Sequence, residues 1–481
     1  MTIGWHFDNS YHKLPKSFRE EIDPVPVKKP ELTLLNENLA KHLGLDFSNL
    51  NKNEISHILS GNDLPKGSNS IAQAYAGHQF GHFTMLGDGR AVLIGEHISK
   101  SNQRFDIQFK GSGKTSFSRS GDGRAALGPM LREYIISEAL HFLDIPTTRS
   151  LAVVKTGEEV FREEVLIGAI LTRIASSHIR VGTFQYIAAR QKKGELEILV
   201  DYVIDRHYPN IKNEKNKALE LLKVLMEKQI SLVVNWMRVG FIHGVMNTDN
   251  MSVSGESIDF GPCAFMDTYN SNTVFSSIDQ FGRYSFSNQP KVTKWNITRF
   301  AECLLPLIDE NENKAIELAT EVIEEFENKY QRKWLNMMRD KLGIFGEESS
   351  DKDLIDQLLK IMEIHKLDFT NTFCYLMQIQ IGENESNQNE FIEWKKKWLQ
   401  RLKANESPND SQLVLMRKNN PIFIPRNYHV EKALEEANKG KLELLKKLLN
   451  VIERPYEINN QNLDFINPGP ENKNYRTFCG T

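Results

Sequence analysis

His243-Gly244-Val245-Met246-Asn247-Thr248-Asp249-Asn250, followed nine residues later by Asp259-Phe260-Gly261, is the stretch on which the reading of this chain turns. Asn250 and Asp259 offer a carbonyl and a carboxylate, the oxygen ligands a magnesium ion takes. Upstream, Phe105–Phe109 reads as a short strand with Lys110 at its end and Gly111-Ser112-Gly113 beyond it. Glu133 stands 23 residues after Lys110 on the next predicted helix, 125–143. There Leu127, Leu131, Ile135, Leu140 and Leu143 recur near helical spacing, and Pro146 follows. A triphosphate needs a fixed cation, which Lys110 supplies, and Glu133 holds that ammonium in place. A lysine on a strand, a glutamate on the next helix, an Asn-bearing loop and Asp-Phe-Gly, in this order, are the parts of a kinase-like nucleotide site.

One part is missing. A protein kinase carries Asp two residues after the His, as the base that accepts a hydroxyl proton; here that position is Val245. A base contributes about 10²–10⁴-fold to rate, and Asp249, beside Asn250, is the candidate replacement; the other reading is that it caps the following turn. Gly113-Lys114-Thr115 imitates a Walker A loop, but the glycine needed five residues before Gly113 is Gln108. The loop Gly111–Gly123 follows Lys110 instead of preceding it and carries Lys114, Arg119 and Arg124. A lysine at a strand end contributes little to a core, so its removal is expected to leave the fold intact.

Further outward, Ala91–Glu96, Thr148–Val154 and Val165–Ile174 read as strands, and helices are predicted over 214–239, 294–330, 351–366 and 388–404. The first 65 residues carry Pro15, Pro24, Pro26 and Pro30 and read as irregular; the last 25 are polar and Asn-rich. The expected fold class is therefore α+β, a protein-kinase-like two-lobed fold with a mixed α/β N-lobe and a mainly helical C-lobe. The expected organisation is an N-terminal extension over 1–65 wrapping the core, an N-lobe over 66–178, a C-lobe with the catalytic and metal loops over 179–455, and a C-terminal tail over 456–481.

Composition limits the function classes. Of 481 residues, 40% are hydrophobic and 26% charged, which is ordinary globular composition. Sixty basic against 63 acidic residues leave net charge −3, so charge gives no support to nucleic-acid or membrane-surface binding. Four scattered cysteines, Cys263, Cys303, Cys374 and Cys479, form no CxxC pair and suit a reducing compartment. The start of the chain shows no secretory or transit pattern, and the apolar stretch Leu219–Phe241 is broken by Lys223, Glu227, Lys228 and Arg238, so a cytoplasmic location is expected. His78 and His82 stand four apart, but Gly77 and Gly81 weaken a helix there and no acidic third ligand is near.

The chain closely resembles the selenoprotein O family of kinase-like proteins. The matching stretches are Tyr75-Ala76-Gly77-His78-Gln79-Phe80-Gly81, Leu86-Gly87-Asp88-Gly89-Arg90, Gln108–Gly113, Arg119-Ser120-Gly121-Asp122-Gly123-Arg124-Ala125, His243–Asn250 and Asp259-Phe260-Gly261-Pro262, within a likeness running from about Phe7 to Cys479. The resemblance implies protein adenylyl transfer, in which ATP binds turned around relative to kinases and AMP moves to Ser, Thr or Tyr hydroxyls of protein substrates, with Mg2+ or Mn2+. By that likeness Lys110, Arg173 and Arg180 meet the γ-phosphate end and Glu133 pairs Lys110. Gly87, Gly89, Arg90, Asp122 and Gly123 contact the nucleotide. Asn250 and Asp259 hold the metal, Asp259 also touches ATP, and Asp249 is the base. If the diphosphate end leaves, cations belong on it, and arginine grips phosphate bidentately. The sequence alone does not bring Arg173 and Arg180 to Lys110; the alternative reading is that they are structural ion-pair members. Some relatives pair a C-terminal Cys or selenocysteine with a cysteine after Asp-Phe-Gly; here Val274-Phe275-Ser276-Ser277 holds no thiol. The alternatives are an atypical kinase and a catalytically inactive nucleotide-binding scaffold.

Overall fold

Strand-forming runs bounded by Gly, Pro and polar turns build one large antiparallel sheet. The computed structural model describes residues 3–377, 388–404, 409–458 and 460–470; Cys479 and the end of the predicted tail lie outside them. The strands are β1 (Arg19–Glu21), β2 (Glu31–Leu35), β3 (Ile71–Gln73), β4 (Ala76–Gln79), β5 (His82–Met85), β6 (Ala91–Ile98), β7 (Arg104–Lys110), β8 (Ala125–Ala126), β9 (Arg149–Phe161) and β10 (Val165–Ala175). The sheet runs β1-β3-β6-β7-β10-β9-β2, with β8 added beside β10, and β4–β5 form a separate hairpin. The opening 65 residues, expected to be irregular, thus supply both edge strands of the sheet. They also form two helices, α1 (Glu37–Leu43) and α2 (Lys52–Leu59), each N-capped by an asparagine, Asn36 and Asn51.

The period-2 alternation of β7 divides its side chains between two layers. Ile107 and Phe109 join Leu39, Leu43, Leu59 and Ile170 in an apolar cluster under α1 and α2. Gln108 and Lys110 face the other way, toward α3 (Leu127–Phe142), which packs on β9 and β10. The helix begins two residues later than the sequence predicts, because Ala125 and Ala126 pair with Ala169 and Gly168 as β8. It ends before Asp144, whose φ of 59° stops the turn ahead of Pro146. Strand β9 runs to Phe161, seven residues past its predicted end; its outer arm is charged and partly exposed, so apolar content gave no sign of it.

Beyond β10 the fold is a helical lobe. It holds α4 (Val181–Ala189), α5 (Lys193–His207), α6 (Lys217–Val239), α7 (Gln289–Ile308), α8 (Glu312–Lys341), α9 (Asp351–Ile364) and further helices to Glu443–Ile452. The single helix predicted over 294–330 is two, α7 and α8. Asp309 turns extended, and Asn311 caps the next helix by accepting from the Lys314 amide at 3.2 Å. Two short strands, β11 (Phe241–Ile242) and β12 (Ala264–Phe265), pair antiparallel and bring the two halves of the 243–261 stretch together. The whole has the two-lobed kinase-like architecture, a sheet lobe with α3 and a helical lobe. Among the described residues no helix is long and apolar enough to cross a membrane.

Candidate active site

Antiparallel register assembles the positive side of the cleft. Lys110, the last residue of β7, stands opposite Leu171 of β10, so Arg173 stands opposite Gln108, on the same face two residues on. The Lys110 ammonium donates to Glu133 Oε2 at 2.6 Å and to Asp259 Oδ1 at 2.8 Å. Arg173 spans the same two carboxylates, at 2.6 Å from Glu133 Oε1 and 2.5 Å from Asp259 Oδ1, and meets Gln108 Oε1 at 3.3 Å. Arg180, immediately before α4, donates to Asp259 Oδ2 and to the Asp249 carbonyl, each at 2.8 Å, and lies 4.6 Å over the Tyr75 ring. Three cations therefore converge on two acids. Burial works against both carboxylates, but Arg173 and then Lys110, joined by Arg180 at Asp259, outweigh it and hold both below their ordinary range.

Burial changes the expectation for Lys110. It is 6% exposed, so its removal opens a charge network as well as a binding site. Glu133 does not pair with the adjacent Arg132, which turns to Glu431 and the Cys263 carbonyl.

The Asn-bearing loop is braced from several sides. His243 pairs through Nε2 with the Ile258 carbonyl at 2.9 Å, tying it to the residue before Asp259, whose φ is 65°. Asn247 Oδ1 accepts from the Tyr284 hydroxyl at 2.6 Å, and Thr248 Oγ1 accepts from the His78 amide at 2.7 Å. The β4–β5 hairpin is pressed onto Asp249: a Cβ on Gly77 would lie 2.1 Å from Asp249 Oδ1, so only glycine permits this approach. Asp249 is buried, its Oδ1 has no hydrogen-bond partner, and burial, against the pull of Arg180, raises its carboxyl to about 6.

Lys110, Glu133, Arg173, Arg180, Asp249 and Asp259 line one cleft of about 330 Å³, a size within the usual range for ligand pockets. Its lining includes each of the nucleotide, metal and base residues that the family resemblance implies: Gly87, Gly89, Arg90, Lys110, Asp122, Gly123, Glu133, Arg173, Arg180, Asp249, Asn250 and Asp259. Gly87 and Gly89 press on Phe117, and Gly123 (φ 69°) sits where a Cβ would meet the Gly113 carbonyl at 2.1 Å. Three further cleft residues had no assigned role. Asp88 accepts from the Gln73 amide at 3.0 Å and from Gln108 Nε2 at 3.2 Å, and burial pushes its carboxyl up to about 6. Arg162, at the β9–β10 turn, grips both Asp122 oxygens at 2.9 and 3.0 Å. Tyr75 carries Arg180. Asp88 and Tyr75 lie inside the quoted motifs; Arg162 has no local signal. His78 pairs with Gln185 at 2.7 Å.

For a metal, the protein offers oxygens from two side chains. Asn250 spends its amide nitrogen on the Val245 carbonyl at 3.0 Å, leaving its side-chain oxygen, and Asp259 contributes a carboxylate. Among the described residues no three His, Cys, Asp or Glu side chains gather as a metal cage. Two oxygen donors suit a magnesium-type ion completed by phosphate and water.

Fold and cleft together define a kinase-like, nucleotide-using transferase. Residues 2–453 match the family described as Protein adenylyltransferase SelO, and the chain belongs to it. It is similar to proteins named Protein nucleotidyltransferase YdiU: 64% identical to one from Pelagibacter ubique over 100% of both chains, and 55% to one from Nitrosococcus oceani over 100% of this chain and 98% of the relative. A third, from Brevibacillus brevis, is 54% identical over 99% and 98%. The chain is accordingly an enzyme, a protein adenylyltransferase. Among solved structures it is similar to ROP2 from Toxoplasma gondii, described as having a protein-kinase fold and no enzymatic activity, at 10% identity over 70% of this chain and 88% of that one, with a TM-score of 0.25. A likeness that low adds nothing to the family membership.

Proposed function

We propose that this enzyme binds ATP with its terminal phosphates inward, against Lys110, Arg173 and Arg180, and transfers AMP to Ser, Thr or Tyr hydroxyls of protein substrates. The observation that carries this reading is the cage itself: three buried cations set on one wall, held by Glu133 and Asp259. Cations gathered at the β,γ end stabilise the charge that develops on a departing diphosphate. In a kinase that end carries the transferred group; here it would be the leaving group.

The chemistry is a displacement at the α-phosphorus. The acceptor oxygen bonds to phosphorus, the bond from phosphorus to the bridging oxygen breaks, and pyrophosphate leaves. Asp249, which lines the cleft, takes the hydroxyl proton, and a carboxyl raised to about 6 by burial is a better base than an ordinary one. Gly87, Gly89, Arg90, Asp122 and Gly123 form the rest of the nucleotide cradle, its glycines letting this backbone pack closely on Phe117 and Gly113. Asn250 and Asp259 would hold Mg2+ or Mn2+, which screens phosphate charge when bound.

α-Labelled and γ-labelled ATP in parallel reactions test this. Label reaching protein only from the α position is the expected result; label only from the γ position would make the enzyme a kinase, and none from either would leave a scaffold. Asp249→Asn is expected to lower transfer by about 10²-fold or more with nucleotide binding retained, measured by titration with a fluorescent ATP analogue.

A further inference from the structure

An ordered loop beside the cleft turns apolar side chains to solvent. Phe281 is 96% exposed and Ile278 62%. The loop is nevertheless well tied. Asp279, itself buried, accepts the Arg283 and Tyr284 amides on its two oxygens at 3.0 and 2.8 Å, and its own amide donates to the Ser276 carbonyl. The apolar pair is thus held outward by a buried carboxylate. The β4–β5 hairpin adds Phe83 and Met85, 44% and 45% exposed.

The two elements form one ridge. Phe83 edges His78 at 5.3 Å, and His78 edges Trp295 at 5.3 Å. Arg283 lies 4.8 Å over Trp295, and Phe80 packs on Tyr284 at 5.1 Å. The ridge flanks the loop that carries Asp249, through Tyr284 on Asn247 and His78 on Thr248. It is also positively charged. Arg299 has Glu302 at 2.6 Å, but among the described residues Arg283 has no carboxylate within ion-pair distance, and its buried Nε is unpaired. Exposed apolar groups around a guanidinium that stacks on Trp295 and Tyr284 but has no counter-carboxylate among the described residues mark a surface built for a partner.

We propose that the loop 276–284 and the β4–β5 hairpin dock the protein substrate, taking a segment that carries an apolar side chain and a carboxylate near its acceptor hydroxyl. The apolar side chain meets Phe281 and Ile278, and the carboxylate meets Arg283. This rests on the transfer reaction proposed above.

The test uses the full-length enzyme, α-labelled ATP and two synthetic peptides. Each carries one Ser, one Thr and one Tyr between leucines; one is flanked by glutamates and the other by lysines. The glutamate peptide is expected to be the better substrate. Phe281→Asp is expected to lower its kcat/KM by about tenfold or more, mostly through KM, with affinity for a fluorescent ATP analogue unchanged. Arg283→Glu is expected to invert the preference toward the lysine peptide, which a merely structural role would not do. Equal rates for the two peptides, an unchanged preference in Arg283→Glu, or self-modification with neither peptide taken overturns the docking surface while leaving the transferase intact. A change of oligomeric state in Phe281→Asp, seen by light scattering, would also overturn it by assigning the ridge to a second copy. No α-label on any protein would instead sink the underlying reaction.

Discussion

Glu133 shows what a single side chain does in this cleft. Its two oxygens separate Lys110 from Arg173, and both cations also reach Asp259. Glu133→Ala leaves three buried cations, Lys110, Arg173 and Arg180, to share one carboxylate, and is expected to cost about 3–5 kcal/mol in denaturant unfolding besides losing transfer. Asp88 gives a test with a pH signature. Its folded carboxyl is raised to about 6 by burial, so the folded state holds a proton that the unfolded state releases near its ordinary value of 3.8. Stability from this group is present at low pH and lost as pH rises from about 4 through about 6. Asp88→Asn is therefore expected to be more stable than the parent at pH 7.5 by about 1–3 kcal/mol in denaturant unfolding, and the gain is expected to vanish near pH 4. A gain equal at both pH values would contradict it. Lys110, Glu133, Asn250 and Asp259 were legible because each sits in a local pattern with a chemical reason. Arg173 and Arg180 came only through family likeness, since the β7–β10 register that brings Arg173 to Gln108 is invisible in sequence. Asp88 lies inside a motif with no local sign of its part, and only its burial and its bonds to Gln73 and Gln108 show what it holds.

At the scale of elements, the β9–β10 hairpin carries the part of the cleft furthest from any motif. Arg162 at its turn clamps Asp122 with both nitrogens, and with it the second Gly-Asp-Gly-Arg segment. Both side chains are partly exposed, 25% and 44%, so the pair contributes little stability, under about 1 kcal/mol. Arg162→Ala is expected to raise KM for ATP several-fold with an unchanged melting temperature; an unchanged KM would show the clamp to be incidental to nucleotide binding. The α7–α8 break belongs here too. An unbroken helix was predicted over it because the apolar pattern resumes in phase, while the break is made by polar residues: extended Asp309 and the Asn311 cap. Asn311→Ala is expected to cost about 1 kcal/mol, read by urea unfolding. Irregularity was likewise wrongly expected of the first 65 residues, because edge strands as short as β1 and β2 leave no periodicity to count.

Across the whole molecule, one buried network joins the leading segment, the sheet and the helical lobe. Arg206 of α5 reaches Glu96 of β6 and, at 2.6 Å, Asp106 of β7. Glu96 in turn accepts from Ser10 at 3.0 Å, from the Tyr11 amide at 2.9 Å and from the Tyr202 hydroxyl at 2.9 Å. These residues lie far apart in the chain, with no motif to connect them, and only the tertiary fold shows that they tie the lobes together. Arg206→Ala takes the closest counter-charge from two buried acids and is expected to destabilise by about 3–5 kcal/mol, measured by denaturant unfolding; a change under about 1 kcal/mol would mean the lobes do not depend on this tie. The tie fixes the Lys110–Arg173 wall, in the sheet lobe, relative to Asp249 in the helical lobe, which is the geometry the reaction needs. A structure with a non-hydrolysable ATP analogue tests the account most directly. It is expected to place the γ-phosphate among Lys110, Arg173 and Arg180, with the α-phosphorus facing Asp249; adenine seated in that cage, with the γ-phosphate at the mouth, would contradict it.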